Sequence, residues 1–201
     1  LVVSSLDEKE IIITNDLVVE KAQQNIVRYD KNGEQHYDII SAFIKSIRGS
    51  DPNAAVYWLA RMIEGGEDVK FIARRLLILA SEDIGNANPT ALVIANNCFQ
   101  AINVIGFPEA RITLSQAVIY LACSSKSNSA YMAINEAQEE VKNSGNLSVP
   151  LHLRNAPTKL MKELGYGKEY QYSHNKPADT QEFLPTEISG NPFYKPSNNS
   201  K

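Results

Sequence analysis

The chain has 201 residues, of which 43% are apolar and 21% charged, a balance that supports one sizeable core and excludes a disordered polymer. Twenty Lys and Arg stand against 23 Asp and Glu, for a net charge of −3, so the chain as a whole is not a basic nucleic-acid binder. No apolar run approaches the roughly 20 residues needed to span a bilayer. Leu1-Val2-Val3 is too short for a signal peptide, and a start at Leu1 rather than Met is what a fragment would show. Cys98 and Cys123 lie in apolar helical patterns without paired spacing, as expected of buried, reduced thiols in a cytosolic protein.

In chain order, Ile11-Ile12-Ile13 suits a short extended edge. Thr14 or Asn15 is placed to cap a helix running to about Val27. After the turn at Asp30-Lys31-Asn32-Gly33, the spacing of Ile39, Ile40, Phe43, Ile44 and Ile47 predicts a helix ending at Gly49. Ser50-Asp51-Pro52 reads as a cap with proline in the first turn of a helix whose inward stripe is Ala55, Trp58, Leu59 and Met62. Asp68 caps the next, carrying Ile72, Leu76, Leu79 and Ala80 and ending near Gly85. Asn88-Pro89 repeats the cap signal before a helix to Gly106. Pro108 opens another, with Leu114, Ala117, Val118 and Leu121 inward. Ser127 or Asn128 starts the last long one, with Tyr131, Ile134 and Val141 inward and Gly145 as its stop. Short connections between such helices predict antiparallel neighbours.

Beyond Gly145 the pattern loosens. Residues 147–153 read as extended. A short helix opened by Pro157 and capped near Ala156 carries Leu160 and Met161 to Gly165, and a tail rich in Tyr, Pro, Asn and Ser follows. Leu151, Leu153, Leu160 and Met161 are expected to bury and fasten the segment.

The chain offers little for catalysis. No GxxxxGK[ST] phosphate loop is present, and Gly165-Tyr166-Gly167-Lys168 has the wrong spacing and follows a helix. His36, His152 and His174 are isolated; His36 and His174 read as solvated and His152 as a structural hydrogen-bonder. Glu82 and Asp83 point about 100° apart on a helix, which suits ion pairing, with Arg74, Arg75 or a loop as candidate partners, better than shared acid–base work. From Lys142 to Lys176 six basic residues (Lys142, Arg154, Lys159, Lys162, Lys168 and Lys176) face only Glu163 and Glu169, with Tyr166, Tyr170 and Tyr172 interleaved. Such a strip either solvates a surface or contacts single-stranded nucleic acid. Arg154 has two roles open to it, an ion pair with Glu82 or Asp83, or a phosphate contact.

Several long stretches carry a resemblance. They are Arg28 to Gly33 followed by His36-Tyr37-Asp38; Lys45 to Pro52, including Arg48; Tyr57-Trp58-Leu59-Ala60-Arg61-Met62; and Ile72-Ala73-Arg74-Arg75-Leu76. With them go Ala80-Ser81-Glu82-Asp83-Ile84-Gly85, Gln116 to Ala122, Lys126-Ser127-Asn128, His152 to Glu163 with Asn155, and Gly165-Tyr166-Gly167. Together they resemble the C-terminal part of the replication-associated recombination protein A family, also called maintenance of genome stability proteins. These are clamp-loader-like AAA+ ATPases that include the Werner-helicase-interacting protein. The resemblance implies an all-α fold, an antiparallel helical bundle similar to the clamp-loader collar with an irregular C-terminal tail. It implies three parts: residues 1–28 as the end of the AAA+ helical lid, 29–172 as the oligomerisation domain and 173–201 as the tail. It implies no catalytic, cofactor or metal residue here, since ATP and magnesium belong to an ATPase core absent from this chain. Expected partners are further copies of the chain in a tetramer, with DNA and single-stranded DNA-binding protein engaged by the parent. The expected place is the bacterial cytoplasm, at replication forks on the nucleoid.

Overall fold

The computed structural model describes residues 14, 15, 34–172, 174 and 181–197. The extended edge expected at Ile11 to Ile13 and the body of the helix expected to reach Val27 lie outside them. Among the described residues the structure is helical throughout, with no strand. The α-helices among the described residues are α1 (Glu34–Arg48), α2 (Pro52–Glu64), α3 (Val69–Leu79), α4 (Thr90–Ile105), α5 (Ala110–Cys123), α6 (Ser129–Ser144) and α7 (Lys159–Glu163). They fall into two compact units, one of residues 1–128 with 197–201, the other of residues 129–196.

The first unit contains every buried apolar side chain of the described residues. In α1 the spacing expected from sequence holds, with Ile39, Ile40, Phe43 and Ile47 all buried. They meet Ala55, Leu59 and Met62 of α2, then Ile72, Leu76 and Leu79 of α3. The stripe Ala91, Ala95, Cys98 and Ile102 closes α4 on this core. Helix α5 packs against each of the other four, so Leu114, Ala117, Val118 and Leu121 sit at the centre of the bundle.

The turns follow their local chemistry. Asp51 caps α2 by accepting from the Ala54 amide at 2.9 Å, with Pro52 in the first turn. Asp68 caps α3 through the Lys70 amide at 3.0 Å. The end of α1 is closed by two backbone bonds, Asp51 N–H to Ser46 O at 2.9 Å and Ser50 N–H to Ile47 O at 3.1 Å. That is the Schellman arrangement, and its left-handed position, where glycine is the usual occupant, is Ser50 at φ 61°. Past Leu79 the chain widens into a π turn over Ala80–Ile84 and leaves it at Gly85. Asn88 departs from expectation. Its amide does not cap α4 but donates across the bundle to Tyr120 Oη at 3.1 Å and Ser124 Oγ at 3.0 Å.

The second unit is held differently. Among its described residues no apolar side chain is fully buried. Tyr131, Ile134 and Val141 of α6, expected inward, are 44%, 54% and 65% exposed, and Leu151 and Leu160 are exposed as well. Hydrogen bonds carry this unit instead. Thr158, rather than Ala156, caps α7 through the Met161 amide at 3.3 Å. The Gly167 amide reaches back to Leu151 O at 2.9 Å. Glu182 collects the Phe183 and Leu184 amides at 2.9 Å each and the Ser189 hydroxyl. These donors hold its carboxyl below the usual carboxylate range, the Ser189 hydroxyl foremost. Lys195 meets Glu136 of α6 at 3.0 Å.

Candidate functional site

Two features of the first unit stand out, a polar junction at one end of the bundle and an exposed apolar surface on α4 and α5. The junction begins with Arg48, the last residue of α1. Its Nε donates to Asp83 Oδ1 at 2.6 Å and its other nitrogen to Oδ2 at 3.2 Å, a forked pair, with Glu82 at 3.9 Å. The π turn is what aims Asp83 here; its carboxylate is nearly buried while the guanidinium stays half exposed. Asp83 raises the proton affinity of Arg48, through the hydrogen bond first and through charge second. The expectation that Arg74 or Arg75 serves these carboxylates is therefore corrected. Arg74 lies 3.8 Å from Asp68 and over the Phe71 ring, and Arg75 is half-buried with its Nε left without a hydrogen-bond partner.

Lys126 completes the junction from the segment after α5. Its ammonium donates to the carbonyls of Leu121, Ala122 and Ser124 at 3.1, 2.9 and 2.5 Å, capping the negative end of α5. It also donates to Ser50 Oγ at 3.0 Å. Burial lowers the Lys126 pKa, which Asp83 nearby partly offsets. Beside it the Ser127 amide donates to Asp83 O at 2.8 Å, and the Ser127 carbonyl leaves Gly85 no room for a side chain. Three separate sequence stretches thus meet at one place, around Arg48, Glu82 with Asp83, and Lys126. Sequence reasoning missed Ser50 and Gly85; the run Arg48-Gly49-Ser50-Asp51-Pro52, a helix stop followed at once by a helix start, was the available signal for the first.

The apolar surface consists of Leu92, Val93, Val104 and Ile105 of α4, Phe107 in the loop, and Ile112 and Ile119 of α5, with Val104 88% exposed. Cys123 continues the α5 stripe and is exposed, contrary to the expectation that both thiols bury; only Cys98 does. Ile119 and Cys123 line a groove of about 580 Å³ with Asn88, Gln116 and Tyr120.

The remaining residues singled out from the sequence scatter. Trp58 is only partly buried, edge-on to Tyr57 with the Arg61 guanidinium 5.4 Å from its ring, and not in the core as expected. His36 is not solvated; its Nδ1 lies 3.0 Å from Glu67 Oε2, with both side chains largely buried. Lys45, Asn128 and Asn155 are exposed.

In the second unit Arg154 is bonded within its own segment. Its Nε donates to Val149 O at 2.6 Å, another nitrogen donates to Tyr166 Oη at 3.2 Å, and the guanidinium lies 5.2 Å from the Tyr166 ring centre. His152 is the structural hydrogen-bonder anticipated, 2.8 Å from Glu182 O. Lys159, Lys162 and Lys168 are exposed, with only Glu163 near Lys159 at 4.0 Å. Among the described residues no three His, Cys, Asp or Glu side chains gather as a metal site, and no helix is long and apolar enough to cross a membrane.

Comparison with known proteins decides the family. Residues 49–201 match the family described as the MgsA AAA+ ATPase C terminal, and residues 1–48 match one described as the AAA C-terminal domain. The chain belongs to the MgsA C-terminal family. Its MgsA relatives include the replication-associated recombination protein A of Coxiella burnetii, 46% identical over 96% of this chain and 45% of that protein. The protein of the same name from Escherichia coli K12 is 43% identical over 96% of the chain and 44% of its own length. The ATPase WRNIP1 of Dictyostelium discoideum is 40% identical over 93% of the chain and 22% of its own length. The chain spans less than half the length of these relatives. The helical MgsA architecture agrees with the all-α expectation, and the two family matches meet between Arg48 and Gly49, inside the polar junction.

Proposed function

We propose that this chain is the assembly module of an AAA+ ATPase that acts on DNA at stalled replication forks, in replication, recombination and repair. The observation that carries the reading is the surface of Leu92, Val93, Val104, Ile105, Phe107, Ile112 and Ile119 on a bundle whose core is already closed. Seven exposed apolar side chains, on two helices that pack side by side and the loop between them, offer a surface that self-association of identical copies would cover. The assembly is a homotetramer, and it gathers the ATPase cores of four copies. Hydrolysis, with its ATP and magnesium, belongs to those cores, so the isolated chain neither binds nor hydrolyses ATP. The whole protein is a DNA-stimulated ATPase of the bacterial cytoplasm that works with single-stranded DNA-binding protein. The names of the relatives support this reading.

Light-scattering mass of the isolated chain tests it. A mass above the monomer, falling on dilution, is expected; a strict monomer at high micromolar concentration overturns the reading.

A second reading is favoured by the exposure of Lys159, Lys162 and Lys168 beside Tyr170 and Tyr172, which are 47% and 57% exposed. In it the second unit contacts single-stranded DNA, lysines on phosphates and tyrosines on bases. Affinity of the isolated chain for a labelled oligonucleotide, lost steeply as salt rises, supports it; no binding at low salt removes it.

A further inference from the structure

The boundary between the two family matches falls after Arg48, yet the fold does not divide there. Helix α1 ends the region matched by the AAA C-terminal domain, and its Ile39, Ile40, Phe43 and Ile47 are buried in the core formed with α2 and α5. A flexible linker between two domains would be polar, exposed and free of cross-links. This turn is polar and exposed, but it is cross-linked at both ends, by Arg48 to Asp83 and by Ser50 to Lys126. The Gly49 amide closes the last turn of α1 on Lys45 O at 2.8 Å, so the helix is regular up to the turn. Ser50 holds φ 61°, a conformation that costs a residue with a side chain of the order of 1 kcal/mol and persists only where its surroundings enforce it. The side chain that makes the conformation costly is also what Lys126 grips at 3.0 Å, so glycine would relieve the strain and lose the contact.

We propose that the Arg48 to Asp51 turn is a rigid transmission joint between the AAA C-terminal region and the assembly core. It is locked on one side by Arg48 with Asp83 and on the other by Ser50 with Lys126. The two locks have separate anchors, since Asp83 lies in the π turn after α3 whereas Lys126 caps the end of α5. They are also tied to each other, because the Ser127 amide, next in chain to Lys126, donates to Asp83 O at 2.8 Å. A change in the angle of α1 would have to break a forked charge pair and a capping ammonium together. The joint therefore passes motion into the bundle instead of absorbing it, as a helix set between packed elements does. Arg48, Ser50, Asp83 and Lys126 are positioning residues and touch no substrate.

The inference rests on the assembly reading above, and its test separates the two. In the full-length protein, Asp83→Asn and Lys126→Met are compared with wild type by oligomeric mass, melting temperature, ATP hydrolysis without DNA and its stimulation by DNA. The expected result is an unchanged mass and unstimulated rate, with stimulation reduced about five-fold or more, the lower end of what coupling between sites amounts to. Arg48→Lys, which keeps the charge but cannot offer a fork, is expected to fall between wild type and Asp83→Asn. Full stimulation in both main variants overturns the joint and leaves the assembly reading standing. Loss of stimulation together with mass or unstimulated rate also overturns it, because the residues then act on folding alone. A wild-type protein without ATPase activity overturns the assembly reading and the joint with it.

Discussion

The carbonyl oxygen of Ser127 lies 2.8 Å from the place where a side chain on Gly85 would begin. Gly85 has φ 49° and ψ −134°, a region open in practice to glycine alone, at the point where the chain leaves the π turn. Gly85→Ala is therefore expected to cost about 2 kcal/mol or more, adding backbone strain of about 1–3 kcal/mol to a contact with a backbone atom that cannot swing aside. Urea unfolding of the isolated chain measures this. A midpoint within error of wild type would mean that the segment carrying Ser127 moves freely.

The exposed stripe on α5 predicts a separation of assembly from stability. Ile112 and Ile119 are 59% and 44% exposed, so Glu at both positions leaves the core of the isolated chain intact. If they lie in the contact between copies, burying unpaired carboxylates there disfavours association strongly. The double variant is expected to run as a monomer in light scattering with a helical circular dichroism spectrum unchanged. A variant that stays associated moves the contact to another face.

Trp58 and Leu59 are neighbours with different environments. Leu59 is 2% exposed, whereas Trp58 packs at the rim of the core under Arg61. Leu59→Ala is expected to cost about 2–5 kcal/mol. Trp58→Ala is expected to cost less than Leu59→Ala, because water refills a site at the rim but not one in the interior. Paired denaturation curves decide it; a larger loss at Trp58 would place that ring in the core after all.

The two thiols predict a pH dependence. Burial pushes Cys98 up to about 11 from an ordinary value of 9.0. A pKa raised in the folded state means that the native chain holds its proton longer than the unfolded one. The contribution to stability is full below pH 9.0 and is lost as pH rises through about 11. Melting temperature should therefore fall across that window, less so in Cys98→Ala. At neutral pH a thiol reagent should label Cys123 quickly and Cys98 only after unfolding, since Cys123 is exposed and Cys98 buried. Equal labelling rates would contradict the burial of Cys98.

Arg154 and Tyr166 predict a local effect in the second unit. With no fully buried apolar side chain among its described residues, that unit depends on bonds such as Arg154 to Val149 O and to Tyr166 Oη. Arg154→Ala should raise the amide-exchange rate of the Leu151 to Gly167 segment, while leaving the helices of the first unit protected. Tyr166→Phe, which removes only the hydroxyl, should have a smaller effect of about 0.5–1.5 kcal/mol. Unchanged exchange in Arg154→Ala would make the arginine dispensable for order and favour the DNA-contact reading.

The sequence by itself determined the helices of the first unit. Asp51 with Pro52 and Asp68 start α2 and α3, Gly65 and Gly106 close α2 and α4, and the buried faces of α1 to α5 follow the apolar spacing of their residues except at Trp58. Asn88 and Pro108 did not act as the start signals expected of them. Capping and amphipathic periodicity are local effects, so a single chain read in order contains them. Family membership was legible too, through long motifs in a fixed order. Periodicity failed on α6, where Tyr131, Ile134 and Val141 form an apolar stripe that the structure leaves exposed, because a stripe states what a helix can bury and not whether anything covers it. Only the tertiary structure decided the partners of the charges. Which arginine reaches Asp83, 35 residues away in sequence, depends on a π turn that rotates the carboxylate toward the end of α1, and no local pattern encodes that rotation. Nor could spacing say that Ser50 would take a glycine's conformation, since the contact with Lys126 spans 76 residues and exists only when α1, α2 and α5 are packed together.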